Sequence, residues 1–103
     1  MAYKLIKAIK RGNFKIVNQI ITNDKNSIKE TSGTIILSEA VKENNLEIVS
    51  LLISLGAKVN DEYRILYDHE TPLAIAASQG NLEMVKLLLE AGAIVNIPLK
   101  DPE

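Results

Sequence analysis

The chain repeats itself, and the repeat limits its fold more than any other feature does. Gly80-Asn81-Leu82-Glu83-Met84-Val85-Lys86-Leu87-Leu88-Leu89-Glu90-Ala91-Gly92-Ala93 is echoed by Asn44-Asn45-Leu46-Glu47-Ile48-Val49-Ser50-Leu51-Leu52-Ile53-Ser54-Leu55-Gly56-Ala57, 36 residues upstream. Gly12-Asn13-Phe14-Lys15-Ile16-Val17-Asn18-Gln19-Ile20-Ile21 echoes it again, a further 32 residues upstream. A period of this length is the mark of a stacked array, in which each unit buries its apolar face against its neighbours rather than in one central core.

Each unit reads as two short helices. Leu5, Ala8 and Ile9 share one face of a first helix at i, i+3, i+4 spacing. Gly12-Asn13 breaks it, and Phe14, Val17, Ile20 and Ile21 form the stripe of a second helix that ends in the polar cluster Thr22-Asn23-Asp24. In the next unit Leu37, Ala40 and Val41 take the first set of positions. Asn44-Asn45 makes the break, Asn being tolerant of positive φ. Leu46, Val49, Leu52 and Ile53 form its second stripe, and Gly56 closes the helix in a left-handed cap. In the third unit Thr71 is placed to cap a helix that has Pro72 at its first position, where the missing N–H costs nothing. Leu73, Ala76 and Ala77 are expected to pack inward, then Leu82, Val85, Leu88 and Leu89, with Gly92 as the stop.

Thr-Pro-Leu, Ala-Ala, Gly-Asn-Leu-Glu, Val-x-Leu-Leu-Leu and Ala-Gly-Ala-x-Val-Asn follow one another in the third unit at fixed spacing. In these pieces the chain closely resembles the ankyrin-repeat family, over almost its whole length. The earlier units depart from the pattern: Ile35-Ile36-Leu37 and Tyr3-Lys4-Leu5 replace Thr-Pro-Leu, and Asp24 stands where the first unit's closing Gly belongs. An end repeat faces water on one side, so such departure is expected there, and Lys4, Lys7, Lys10, Arg11 and Lys15 suit a solvated cap.

The resemblance implies an all-α array of three helix-loop-helix repeats with projecting hairpin-like connectors. The repeats span about 3–28, 33–60 and 69–97, in one domain covering 1–103. First helices are expected near 3–11, 36–43 and 72–79, and second helices near 14–22, 46–54 and 82–90. The connector between repeats two and three is three residues longer than is usual in the family, and the one before Ile35 is one shorter. The long one, Asp61 to Glu70, carries Tyr63, Tyr67, Ile65, Leu66 and the single His69.

Composition narrows the function. Apolar residues make up 47% and aromatics 4%, so the core is aliphatic. A net charge of −1 gives no general attraction to nucleic acid or an anionic membrane. With no Cys there are no disulfides, thiolate zinc sites or Cys nucleophiles. No apolar run approaches the ~20 residues that span a bilayer, and the N-terminal residues hold no signal-peptide core. His69 lies among Asp61, Asp68 and Glu70, but without a second His it makes a poor metal site. Ser38, Thr71 and Ser78 lack a supported general base, Gly33 and Gly56 read as turn and cap residues, and no phosphate-binding glycine motif occurs. No catalytic residue, metal or cofactor is expected.

What remains is a non-catalytic scaffold that binds a partner protein. The resemblance implies a concave face lined by the first helices, flanked by connector fingers. Carried position by position, it assigns the contact surface to Lys7, Lys10 and Arg11, to Glu39, Lys42 and Glu43, and to Ile75, Ser78 and Gln79. The fingers add Ser32, Thr34, Tyr67, Asp68 and Glu70. This surface grades from basic to neutral and suits a partner with an acidic spot near the N-terminal end. A second reading is a targeting or regulatory module at the front of a larger enzyme or effector. A third is self-association through the C-terminal repeat, where Leu87, Ile94, Val95, Ile97 and Leu99 add apolar surface. An interior location is expected, in the cytoplasm or, for a secreted effector, inside a host cell.

Overall fold

The computed structural model describes residues 2–25, 28, 32–60 and 71–94. Its helices among the described residues include α1 (Ala2–Lys10), α2 (Phe14–Asn23), α3 (Ser32–Lys42), α4 (Leu46–Ser54), α5 (Pro72–Ser78) and α6 (Leu82–Glu90). Among the described residues there is no strand. The long connector at 61–70, with Tyr63, Tyr67 and His69, lies outside the described residues, as do 95–103.

Local chemistry accounts for the helix ends. Asn13, Asn45 and Asn81 stand at equivalent N-caps. Each side-chain Oδ1 accepts the N–H three residues on, from Ile16 at 3.2 Å, Ile48 at 3.1 Å and Met84 at 3.1 Å. Such a bond satisfies one of the donors that a helix start leaves unpaired. Thr71 caps α5 in the same way, accepting from the Ala74 N–H at 3.3 Å, with Pro72 at the helix start. α1 and α5 end in Schellman turns. Gly12 donates to the Ile9 carbonyl and Asn13 to that of Ala8, and Gly80 and Asn81 do the same to Ala77 and Ala76. These turns need a residue at positive φ. Gly12 supplies it at 68° and Gly80 at 71°, while Asn44 reaches 60° without being glycine. Gly56 and Gly92 close α4 and α6 in the same manner, whereas Asp24 leaves α2 with an ordinary negative φ of −139°.

α3 starts at Ser32, four residues before the expected start at 36, so Gly33 is a helical residue and not a turn glycine. Thr34, expected on a finger, lies inside this helix and is buried, its Oγ1 donating to the Asn60 carbonyl at 3.2 Å. The turn read from Gly33 is replaced by an added helical turn that brings Thr34 within reach of the end of its own repeat.

Within each repeat the two helices pack on one another, and α1, α3 and α5 stack in order, with α2 set against α4. One aliphatic cluster runs through all three repeats. It includes Leu5 and Ile9, then Ile36, Leu37 and Val41, then Ile48 and Leu52, and finally Ala76, Met84 and Leu88.

Stacking order determines which side of each helix is covered. Residues two apart on a helix lie roughly 200° apart, on opposite sides. Lys7, Glu39 and Ile75 occupy one register and pass from exposed to half-buried to buried; Ile9, Val41 and Ala77 occupy the other and pass from buried to exposed. The first register is the side covered by the preceding repeat, and the second is the side covered by the following one. Five sequence expectations are corrected. Ile75 is only 7% exposed and belongs to the core, while Ala77 is exposed. On α6, Met84 and Leu88 are the buried pair, while Leu82 is 80% exposed and Leu89 42%. Leu89 repeats the register of Ile21 and Ile53, so it too points to the following side. Phe14, the residue of α2 in the register of Leu82, is also exposed.

Candidate functional site

The residues expected to contact a partner come from the C-terminal turns of the first helices and the loops after them. Helical periodicity leaves these positions outside the packed stripe. Lys10, Lys42 and Ser78 occupy one register and are all exposed; Arg11, Glu43 and Gln79 occupy the next and are exposed as well. Lys7 is exposed, and Glu39 is half-buried. Because α1, α3 and α5 stack side by side, the two fully exposed rows run across all three repeats. Ile75 is absent from this surface because it is buried against the preceding repeat. Tyr67, Asp68 and Glu70 lie outside the described residues.

Two features order the rows. Lys42 Nζ lies 3.4 Å from Glu39 Oε2, one helical turn away. Its own side chain is 52% exposed, so solvent screens the pair and its worth is small. Gln79 Nε2 donates to the Lys42 carbonyl at 3.1 Å, joining the second and third repeats at the edge of the surface. At the N-terminal end, the Lys7 ammonium stands 6.0 Å from the centre of the Tyr3 ring, at the outer limit of a cation–π contact.

Sequence reasoning passed over the asparagines that tie repeats together. Asn81 Nδ2 donates to Asn44 Oδ1 while its own Oδ1 caps α6, so both ends of one amide are engaged. Asn60 bridges the same two repeats from the other side. Its Nδ2 donates to the Gly92 carbonyl at 3.0 Å, and its Oδ1 accepts from the Ile94 N–H at 2.9 Å. The signal was present, since Asn recurs at each inter-helix loop, but its spacing marks a loop and does not reveal a hydrogen bond across to the neighbouring repeat.

Ser78 Oγ donates to the Ile75 carbonyl at 3.0 Å, a helix-backbone bond. Ser38 is buried inside the array. Among the described residues no group of His, Asp and Glu is arranged to hold a metal ion, and no helix is long and apolar enough to cross a membrane.

Neither a curated protein nor a solved structure matches the chain significantly. A family model does: ankyrin repeats, in three copies, over residues 5–99. Ankyrin repeats generally mediate protein–protein interaction, and domains built from them are generally non-catalytic. The match covers nearly the whole chain and agrees with the stacked helix pairs, the glycine-closed helices and the Thr71-Pro72-Leu73 start of the third repeat, so this chain belongs to the ankyrin-repeat family.

Proposed function

We propose that this chain is a non-catalytic scaffold that binds one partner protein across the exposed ends of its first helices, with the connector at 61–70 contributing Tyr67, Asp68 and Glu70. The supporting observation is the pair of exposed rows, Lys10-Lys42-Ser78 and Arg11-Glu43-Gln79, held side by side at the C-terminal ends of three stacked helices. A surface already ordered before binding avoids much of the entropic cost of association. Its character changes along the array, from Lys7, Lys10 and Arg11 through the mixed Glu39, Lys42 and Glu43 to the uncharged Ser78 and Gln79. This gradient suits a partner with an acidic segment at the N-terminal end and neutral polar contacts at the other.

The test is affinity capture with three proteins compared side by side. The wild type should retain a partner that Lys10→Glu/Lys42→Glu loses, with the circular dichroism spectrum and melting curve unchanged. A control pair on the exposed side of α6, Glu83→Lys/Lys86→Glu, should retain it. Loss in the control and retention in the first-helix variant would move the interface to the second helices and refute the assignment. Exposed charges of this kind act mainly on association rate, so the loss should be strongest at low salt.

A further inference from the structure

Among the described residues, repeat one and repeat three present complementary faces, and we propose that the chain associates head to tail with a second copy of itself. The proposal does not rest on the partner-binding reading above: it uses mainly the sides of the helices that stack, although Lys7 belongs to both surfaces.

Within the chain, the following side of repeat two meets the preceding side of repeat three. Val41, Val49 and Ile53 represent the first side and Ile75, Met84 and Leu87 the second, and all six are buried or half-buried. The same registers recur at the ends of the array. On repeat three the following side presents Ala77, Val85 and Leu89, with Leu89 42% exposed. On repeat one the preceding side presents Lys7, Ile16 and Gln19, with Ile16 38% exposed. Tyr3, one turn before Lys7, adds an exposed ring to that side. Placing repeat one of a second copy after repeat three reuses the geometry of an interface the chain already makes.

Charge decides between head-to-tail and symmetric pairing. Residues 2–23 hold Lys4, Lys7, Lys10, Arg11 and Lys15 and no acid, while residues 71–94 hold Glu83 and Glu90 against Lys86. Two heads together would gather lysines, and two tails would gather glutamates. Head to tail brings opposite charges together, with Lys15 of one copy continuing the row that ends in Glu83 of the other. Lys7 can lay its aliphatic stem over Ala77 and keep its ammonium in water. A heterologous contact of this kind leaves one face free at each end, so it extends into open chains unless the rotation closes a ring.

Sedimentation velocity on the whole chain at rising concentration provides the test. The wild type should pass beyond a dimer, and added salt should weaken the association. Leu89→Glu, with a blocked tail, and Ile16→Glu, with a blocked head, should each be monomeric alone. Mixed in equal amounts they should form a 1:1 dimer and grow no further. Ala77→Glu and Lys15→Glu, both at exposed positions, repeat the comparison should either first variant lose its helical spectrum. A wild type that stays monomeric, one that stops at a dimer, or a single variant that still self-associates would each overturn the proposal.

Discussion

Replacing Asn81 by Ala tests whether the loops bind neighbouring repeats or only terminate helices. Asn81 and Asn13 hold the same position in their repeats, and each caps a second helix through Oδ1. Loss of such a cap costs ~0.5–2 kcal/mol. Asn81 also donates to Asn44 Oδ1 in the adjoining repeat, a bond whose net worth is about 0.5–1.5 kcal/mol. Asn81→Ala should therefore destabilise more than Asn13→Ala by roughly 1 kcal/mol. The second arm of a double-mutant cycle is Asn44→Gly, because Gly removes the acceptor and keeps the positive φ of 60° at no steric cost. The coupling energy should fall near 0.5–1.5 kcal/mol, within the range seen for residues in direct contact. Urea denaturation followed by circular dichroism reads it out. With m of about 1–3 kcal/mol/M, a loss of 1 kcal/mol moves the midpoint by roughly 0.3–1 M. Equal losses for Asn81→Ala and Asn13→Ala, with no coupling to Asn44, would refute the inter-repeat bond and leave the asparagines as caps alone.

Two further pairs of substitutions examine the stacking order. Ala76 is buried and Ala77 exposed, so Ala76→Leu should overpack the array and cost ~1–3 kcal/mol, whereas Ala77→Leu should change stability by no more than about 0.5 kcal/mol. Similar midpoints for the two proteins would mean that the register of α5 is wrong. Met84 is fully buried and Leu82 almost fully exposed, so Met84→Ala should cost ~2–5 kcal/mol and Leu82→Ala little, which the same denaturation experiment measures. The reverse order would restore the stripe that sequence periodicity suggests for α6.

What the sequence determined by itself is mostly local. Positive φ at Gly12, Asn44 and Gly80, closure at Gly56 and Gly92, and the Thr71-Pro72 start of α5 were legible because each depends on a residue's own backbone freedom or on one nearby bond. Both α4 and α6 have the bounds that the pattern predicted, since Asn and Gly mark their two ends. The exposed rows of the candidate surface were legible for a related reason: Lys10, Arg11, Lys42 and Glu43 are charged, and charge seldom sits inside a stack. The tertiary structure alone decided which apolar residues are covered. Ile75 and Ala77 are both plausible core residues on a seven-residue helix, and no local rule separates them. Ile75 is buried because repeat two lies against its side of α5, and Ala77 is exposed because, among the described residues, its side has no repeat against it. The same asymmetry buries Met84 and exposes Leu89. Hydrophobic burial has no direction of its own, so in a stacked array the order of the neighbours, and not the side chain, determines which face of a helix becomes core.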